Sequence, residues 1–308
     1  MSLEKYLAAF AKLKVATVNG KPAPNKATLL LALIDLVAAG EISSRKFPHS
    51  DALEGAFLDR WIKHVGARKP NLHYPIYHLQ TDGFCKLHLK PGQRINMRGN
   101  SPTSLRTIKE ALLHYEIARD LWEVLTASEA NRQALRAVLL EQYFGDLKPE
   151  EEYSNPYTIQ LDAAELVLTE YRKGSSKSTF TRATRNQLFA KSVLQNYRHT
   201  CAISRTKVEY QGKFPLLDAA HIVPHSEGQQ DSLTNGLALT PTLHRAFDRG
   251  LISIDNDYRV LLADLKESAI ATWRLDEFVH QKILLPEDKK YHPSLTHLKA
   301  HRERWGFE

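Results

Sequence analysis

Cysteine is scarce in this chain, and no apolar run in it is long enough to span a bilayer. The 308 residues include two cysteines, Cys85 and Cys201. A count this low excludes a disulfide framework and is typical of proteins from a reducing compartment. Every apolar stretch is shorter than the roughly 20 residues of a membrane-spanning helix. The first residues, MSLEKYLAAFAKLK, mix acidic and basic side chains where a signal peptide would be apolar. We therefore expect a cytoplasmic protein.

The charge balance favours a polyanionic partner. The net charge is +7, and 25% of the residues are charged. Between Arg172 and His199 there are seven basic residues and no acidic one. Such a run is typical of phosphate contact, although a solvated linker with chance charge would look the same. The length and the 43% hydrophobic content suit two globular domains.

The stretch from Leu216 to Leu251 concentrates polar residues at regular positions. Its pattern predicts a strand that ends at His221, a polar loop, a second strand after Asn235-Gly236, and a helix that begins at Thr240-Pro241. His244 and Asp248 lie four residues apart on this helix and so share one face. A histidine titrates near neutral pH, and a pair of imidazole and carboxylate groups can hold a cation.

These pieces resemble the HNH, or ββα-metal, nuclease motif in its McrA-type branch. The resemblance covers about residues 197–262 and rests on AAHIVP, NGLAL and HRAFDRG. It implies that His221 is the general base that activates water, that Asn235 holds the loop and orients the base, and that His244 is a metal ligand. The alternative is that both histidines are ordinary, partly buried side chains.

The second metal ligand is left open by the sequence. Many HNH enzymes place it directly before the base, where this chain has Ala220. Asp218 lies on the same strand face as that position and is the favoured substitute, whereas Asp248, one helical turn after His244, competes with it. Either would suit Mg²⁺ or Mn²⁺. Some relatives bind a structural zinc through paired CxxC motifs. In this chain, Ser204 stands where the second cysteine of such a motif would follow Cys201, so no structural zinc is expected.

The fold class expected for the whole chain is α+β. Residues 1–150 read as a mainly helical DNA-reading domain, residues 151–183 as a linker region, and residues 184–308 as the ββα-metal nuclease domain with flanking helices. Ala27–Ala39 is the predicted central buried helix of the first domain. Tyr74–Leu79 and Phe84–Leu89 are predicted to form a short β-hairpin that turns at Asp82-Gly83.

The first domain resembles the sulfur-binding domain of McrA-like restriction endonucleases that cut phosphorothioate-modified DNA. The pieces that carry the resemblance are APNKATLLLALIDLVAAGEI and HYPIYHLQTDGFCKL. It implies an apolar cup of Tyr74 and Pro75, continued by His78. Lys26 is expected to bind a phosphate, and Asn25 stands where the family commonly has a histidine.

Arg98, in the loop RINMRGNSP, is the candidate arginine that closes the sulfur-binding dent. Structural alternatives remain for these residues: a strand start at Tyr74-Pro75, a solvated charge at Lys26 and a surface loop position at Arg98.

The combined interpretation is a modification-dependent type IV restriction endonuclease. Its partner is double-stranded DNA carrying phosphorothioate, and since one HNH site cuts one strand, we expect a homodimer. Two alternatives stay open: an HNH nuclease that reads a modified cytosine base, and a non-catalytic DNA-binding regulator with a degenerate HNH fold.

Overall fold

The chain divides into two compact units. A computed structural model describes residues 2–18, 20–66, 68–145, 161–170, 180–210, 213–224, 231–264 and 275–307. Unit 1 comprises Met1–Ala163 with Ser175–Thr184, and unit 2 comprises Ala164–Gly174 with Arg185–Glu308. Most of the linker expected at 151–183 lies outside the described residues. The part that is described includes a helix at Leu161–Glu170.

Unit 1 is mainly helical. Its helices are α1 (Ser2–Ala11), α2 (Asn25–Ala38), α3 (Asp51–His64), α4 (His73–His78), α5 (Leu105–Ala111), α6 (Arg119–Ala127) and α7 (Glu129–Phe144). Its strands are β1 (Thr17–Val18), β2 (Lys21–Pro22), β3 (Lys46–Phe47), β4 (Cys85–Leu89), β5 (Met97–Arg98), β6 (Ser101–Pro102) and β7 (Leu112–Ile117). A three-stranded antiparallel sheet has the order β3-β7-β4, and β1-β2 and β5-β6 are separate pairs.

Helix α2 is the centre of the unit 1 core, as its apolar sequence predicts. It is buried from Lys26 to Leu33 without interruption, and it contacts α3, α4, α6 and α7. A helix that is apolar all round is stable only where neighbouring elements cover every face. Gly40 follows the helix at φ +75°, a conformation that favours glycine.

The predicted hairpin at residues 74–89 is wrong in its first half. Residues 73–78 form α4, and a 3₁₀ turn follows at Leu79–Asp82. Leu72, Ile76 and Leu79 are all buried, and their spacing is helical rather than alternating. Strand β4 pairs instead with β7, more than 20 residues further along the chain. Pro75 is tolerated because it lies in the first turn of the helix.

Strand β7 separates helices α5 and α6. Within Leu112–Ile117, Leu112, Tyr115 and Ile117 are buried, and Leu113 is exposed. The strand runs antiparallel to both β3 and β4, so it is the central strand of the sheet. This long-range pairing, which the local sequence does not reveal, overrides the helical propensity of the flanking residues.

Unit 2 contains the ββα arrangement expected from the sequence. Its described elements are α8 (Leu161–Glu170), α9 (Arg182–Asn196), β8 (Asp218–His221), β9 (Gly236–Leu239), α10 (Pro241–Asp248), β10 (Ile252–Ile254), β11 (Val260–Leu262) and α11 (Leu295–Trp305). The first residues of α8 and of α9 are grouped with unit 1. Strands β8 and β9 are antiparallel, and α10 contacts both of them.

Helices and small sheets together make the chain α+β, as expected. Among the described residues, no helix has both the length and the apolarity that crossing a bilayer requires.

A buried carboxylate holds unit 1 together. Glu54 on α3 is 0% exposed and accepts hydrogen bonds from His49 (2.8 Å), Lys109 (2.7 Å) and the backbone N–H of Thr181 (2.8 Å). Burial by itself raises the pKa of the Glu54 carboxyl, but the bonds from His49, Lys109 and Thr181 lower it, and the net direction is downward. The ionised form is therefore the one that the fold stabilises.

We predict that Glu54→Gln lowers the free energy of unfolding by about 3 kcal/mol, because it removes the buried carboxylate that pairs with Lys109 and turns one acceptor oxygen into a donor. Denaturant titration near neutral pH measures the change. Since the folded-state pKa is lowered, the contribution of Glu54 is present above its ordinary value of 4.5 and is lost as the pH falls below it. Glu123→Gln is the control, because that side chain is 63% exposed. Equal stability of the two variants would contradict the role of Glu54.

Candidate functional site

Strands β8 and β9 and helix α10 position three polar residues of unit 2. His221 is the last residue of β8, and Asn235 directly precedes β9. His244 lies on α10, which begins at Pro241 with Thr240 as its N-cap residue. The register pairs His221 with Gly236 and Asp218 with Leu239. Gly236 allows a close approach, because a Cβ there would meet the Val193 side chain at 2.4 Å.

Two neighbouring side chains, Phe189 and Asp231, fix the orientation of the His221 imidazole. It stacks on the ring of Phe189 with the centroids 3.9 Å apart and the planes 9° apart. Its Nε2 lies 3.3 Å from Oδ1 of Asp231, a carboxylate that is 1% exposed and also faces Arg185 at 3.4 Å. A buried carboxylate beside an imidazole orients the ring. The ring remains partly exposed, at 23%.

Asn235 fastens the end of β8 to the start of β9. Its side-chain oxygen accepts from the N–H of Val223 (2.9 Å), and its side-chain N–H donates to the carbonyl of Val223 (3.0 Å). The carbonyl of Asn235 also accepts from the N–H of Ile222 (2.9 Å). The residue is 0% exposed, so these bonds exclude water. They fix the chain immediately after His221.

The turn that carries Asn235 is itself anchored from α8. Glu165 accepts hydrogen bonds from the hydroxyl of Ser232 (2.6 Å) and the N–H of Leu233 (2.7 Å). Both donors lie at the start of the 3₁₀ turn Leu233–Asn235. The position of the asparagine therefore depends on a helix that precedes the motif in sequence.

His244 lies between the two candidate carboxylates. Its Nδ1 is 3.2 Å from Asp218 Oδ2, and its Nε2 is 3.3 Å from Asp248 Oδ2. The two carboxylates thus meet opposite edges of one ring, and one metal ion bonds to only one ring nitrogen of a histidine. The donor set fits a divalent ion held by His244 and one carboxylate, with the other carboxylate orienting the ring.

A cavity of about 370 Å³ lies beside His221 and His244. Among its lining residues are His221, His244 and Asp248, but not Asp218. An ion in this cavity would therefore be held by Nε2 of His244 and by Asp248. Asp218 would then accept the Nδ1 proton, the outer role that commonly accompanies a metal-bound histidine.

The C-terminal helix supplies part of the cavity wall, which the sequence patterns do not reveal. His301, Arg304 and Trp305 of α11 line the cavity, and the Arg304 guanidinium lies 5.4 Å from the centre of the Trp305 ring. Trp305 packs closely on Gly250, where a Cβ would meet the indole at 2.4 Å. Burial lowers the pKa of His301 to about 4, so this histidine is neutral near pH 7. The segment HRERWGFE is basic and aromatic, but this composition does not indicate which cavity it lines.

A second cavity, of about 520 Å³, lies in unit 1. It is lined by residues that are far apart in sequence, and five of the six candidate DNA-binding residues contribute to it: Asn25, Lys26, Tyr74, Pro75 and His78. Its remaining walls come from Lys14, Val15, Ala16, Ala23 and Thr81. The start of α2 and the exposed side of α4 are thus brought together around one depression.

One wall of this cavity is aromatic and uncharged. Tyr74 is 42% exposed and stacks between His73 (4.4 Å) and His78 (6.4 Å). Burial lowers the pKa of His78, and the charge of Lys26 lowers it further, so the ring is neutral near pH 7. Pro75 is buried beside these rings. The wall offers polarisable carbon surface rather than charge.

The free phosphate-binding charge expected at Lys26 is not what the structure places there. Its side chain is 7% exposed, and its ammonium group donates to Asp82 (2.6 Å), Thr81 (3.0 Å) and the carbonyl of Lys14 (2.7 Å). An ammonium group has three hydrogens to donate, and these oxygens take all of them. Lys26 therefore ties α2 to the 3₁₀ turn and to the chain after α1, and Asp82 neutralises its charge.

Asn25 and Arg98 take different positions around this cavity. The side-chain N–H of Asn25 reaches the carbonyl of Asn71 at 3.5 Å. Arg98 lies on the exposed hairpin of β5 and β6 and is paired in register with Ser101. The hydroxyl of Ser101 is 3.0 Å from Nε2 of His78, which places the Arg98 hairpin beside the cavity wall.

Comparisons with known proteins match two segments of the chain. Residues 3–152 match the family model for the ScoMcrA-like DNA sulfur-binding domain, and residues 201–255 match that for the HNH endonuclease. No curated protein sequence matches the chain.

Three solved structures show partial likeness. One is described as the modification dependent TagI restriction endonuclease, with 24% identity, a TM-score of 0.31, and 38% of this chain and 36% of that chain covered. The sulfur binding domain of ScoMcrA complexed with phosphorothioated DNA has 18% identity and a TM-score of 0.40 over 52% and 96% of the two chains. The type IV phosphorothioation-dependent restriction endonuclease ScoMcrA has 12% identity and a TM-score of 0.38 over 78% and 93%.

The fold and the two family matches define a nuclease of the HNH class with a DNA-binding domain in front. More particularly, residues 3–152 are similar to the ScoMcrA-like DNA sulfur-binding domain, and residues 201–255 are similar to the HNH endonuclease domain.

We predict that Asn235→Asp destabilises unit 2 by about 1–3 kcal/mol, because a carboxylate keeps the acceptor for Val223 N–H but sets a second oxygen against the Val223 carbonyl. Thermal unfolding followed by circular dichroism measures it. Asn256→Asp is the matched control, since Asn256 uses its oxygen to accept from Arg302 and a carboxylate preserves that bond. If both variants unfold like the wild type, the amide of Asn235 does not fix the strand.

Proposed function

We propose that this chain is a phosphorothioate-dependent restriction endonuclease. In this proposal, unit 1 binds a backbone sulfur of double-stranded DNA in its 520 Å³ cavity, and unit 2 hydrolyses a nearby phosphodiester. The observation that carries the proposal is the convergence of Tyr74, Pro75 and His78 with the start of α2 around that cavity, in the domain that matches a DNA sulfur-binding family.

The chemistry of the cavity suits sulfur better than oxygen. A sulfur in place of a non-bridging phosphate oxygen makes that edge larger, softer and less hydrated. An aromatic and proline wall favours such an atom, whereas an ordinary phosphate oxygen loses hydration there without a compensating hydrogen bond. The neutral state of His78 supports this preference, because this ring adds no positive charge that would favour oxygen over sulfur.

The flanking phosphates have two candidate partners beside the cavity. Helix α2 starts there with no side-chain cap at Pro24 and no acidic residue in its first turn. Its free N–H groups and helix dipole therefore suit an anion. Arg98, exposed on the adjacent hairpin, is the second partner and can grip a phosphate with a planar fork of donors. Since the charge of Lys26 is neutralised by Asp82, these groups replace it in the proposal.

Hydrolysis in unit 2 requires an activated water and neutralised phosphate charge. His221 is the proposed general base, and Asp231 accepts the Nε2 proton, so that Nδ1 is the basic nitrogen of that tautomer. Asn235 fixes the backbone after the base. A divalent ion, Mg²⁺ or Mn²⁺, bound by His244 and Asp248 would stabilise charge on the phosphate and on the leaving oxygen. Arg304, on the same cavity wall, is placed to contact the phosphate as well.

A single active site of this kind cuts one DNA strand at a time. Double-strand cleavage therefore needs two copies, and we include a homodimer in the proposal. Sedimentation of the chain with and without modified duplex DNA measures the assembly. A monomer on DNA that cuts both strands of one duplex only by independent nicks would remove the dimer and leave the nuclease assignment intact.

We predict that His221→Ala lowers the rate of strand cleavage by about 10²–10⁴-fold and leaves DNA binding unchanged, because only proton transfer is lost. Nicking of a phosphorothioate-containing supercoiled plasmid with Mg²⁺ or Mn²⁺ measures the rate, and a gel-shift titration measures binding. His280→Asn is the matched control: His280 is exposed and has φ +60°, which asparagine tolerates. Undiminished nicking by His221→Ala would place the general base elsewhere.

We predict that Tyr74→Ala reduces the preference for sulfur over oxygen by about tenfold, equivalent to ~1.4 kcal/mol, while binding to unmodified DNA changes little. Binding is compared on one duplex with no sulfur, with one Rp sulfur and with one Sp sulfur. Leu113→Ala is the control, because that side chain is 52% exposed on β7 of the same unit.

If the wild type binds these duplexes equally, unit 1 does not read sulfur. Preference for a matched duplex with a modified cytosine would then support the base-reading alternative.

A further inference from the structure

Unit 1 contains a cluster of two histidines and a glutamate away from the sulfur-binding cavity. His88 lies on β4, and His114 and Glu116 lie on β7. His88 and His114 are direct register partners, and Glu116 follows two residues later on the same strand face. One ligand atom from each of the three residues falls within 4.8 Å of the other two. Among the described residues, this is the only such set of three.

The two imidazoles lie in an arrangement that hydrogen bonding does not explain. The rings stack with centroids 4.5 Å apart and planes 14° apart. Both Nε2 atoms are buried, and within the described part of the chain neither has a hydrogen-bond partner. Nε2 of His88 lies 2.6 Å from Glu116 Oε2, a contact without hydrogen-bond geometry. Buried polar atoms in folded proteins ordinarily have partners, so atoms without them point to a bound group.

We propose that His88, His114 and Glu116 form a binding site for a zinc-class transition-metal ion, Zn²⁺ or, in its place, Co²⁺ or Ni²⁺. Two imidazole nitrogens and one carboxylate oxygen are a common three-residue ligand set for such ions. Tetrahedral bonds of about 2.0–2.2 Å place ligand atoms roughly 3.4 Å apart, so small side-chain rotations bring this cluster onto an ion. The fourth position is left for water or another ligand.

The surrounding charges decide which metal fits. Arg45 forms an ion pair with Oε1 of Glu116, and Lys46 and Lys86 are both register neighbours of Glu116. These positive charges repel a metal cation and so weaken the binding of Mg²⁺ and Ca²⁺, which proteins hold mainly by electrostatic attraction. They oppose less strongly an ion held by bonds to neutral imidazoles, which Zn²⁺, Co²⁺ and Ni²⁺ form. Arg45 also orients the carboxylate and leaves Oε2 toward the histidines.

Metal binding here would tie β4 to β7 beside the irregularity at His88 and Leu89, where the register of the two strands shifts. An ion that binds only the folded state stabilises it by mass action. The site is independent of the nuclease cavity, and the proposal does not rest on the proposed function.

The test is a metal titration of the full chain after removal of metal with EDTA. A His244→Ala background removes the metal ligand of the nuclease cavity, so that any ion counted belongs elsewhere. We expect this background variant to bind one equivalent of Co²⁺ with the visible absorption of a tetrahedral site, and one equivalent of Zn²⁺ in competition with a chromophoric chelator. A large excess of Mg²⁺ should not displace either ion, and Zn²⁺ should raise the melting temperature.

Adding His114→Ala should weaken Zn²⁺ binding by more than about 100-fold, beyond the ~10–100-fold typical of losing an outer partner. Adding Glu116→Gln, which preserves size, should weaken it by more than tenfold and covers the case in which His114→Ala does not fold. His280→Asn is the control and should leave binding unchanged. The proposal is overturned if the His244→Ala chain does not bind Zn²⁺. It is also overturned if adding His114→Ala or Glu116→Gln leaves the affinity for Zn²⁺ equal to that of the His244→Ala background.

Discussion

The catalytic unit depends on one buried amide. Asn235 makes two hydrogen bonds to the backbone of Val223 and a third through its own carbonyl to Ile222, and it is inaccessible to water. These bonds hold the end of β8 against the start of β9. The imidazole of His221, directly before the clamped residues, then has a fixed base on which the stack with Phe189 and the contact with Asp231 can set its orientation. The bonds that Asn235 makes are all between neutral groups, so this clamp carries no cost of burying a charge.

The carboxylates of the chain serve mainly to position cations and imidazoles. Asp82 neutralises Lys26 under the unit 1 cavity, and Glu54 gathers His49 and Lys109 in the core. Asp218 and Asp248 meet the two edges of His244. Because each ring nitrogen has a defined neighbour, the question that the sequence left open becomes a division of roles. Asp248 faces the cavity and suits the ion, whereas Asp218 suits the opposite nitrogen.

Histidine performs four different tasks in this chain, and the surroundings decide which. His78 is a neutral wall beside Lys26, and His301 is a buried structural ring that contacts Ser253 and Phe247. His221, the proposed general base, is oriented by a buried carboxylate. His88 and His114 face each other across two strands with their inner nitrogens unpaired, which suits a metal. Composition alone, 14 histidines in 308 residues, distinguishes none of these.

The sequence by itself determined the elements whose signals are local. The spacing of polar residues predicted β8, β9 and α10, and the Thr240-Pro241 pair predicted where α10 begins. Uniform apolarity identified α2 as the central helix of unit 1. Only the tertiary structure decided what depends on distant partners. Tyr74–Leu79 is helical because Leu72, Ile76 and Leu79 pack into the core, and β7 is a strand because β3 and β4 flank it. The burial of Lys26, the contact of Asp231 with His221 and the wall formed by Arg304 also come from residues far apart in sequence. A short segment specifies its own backbone preference, but the free energy of burial and pairing belongs to the assembled core.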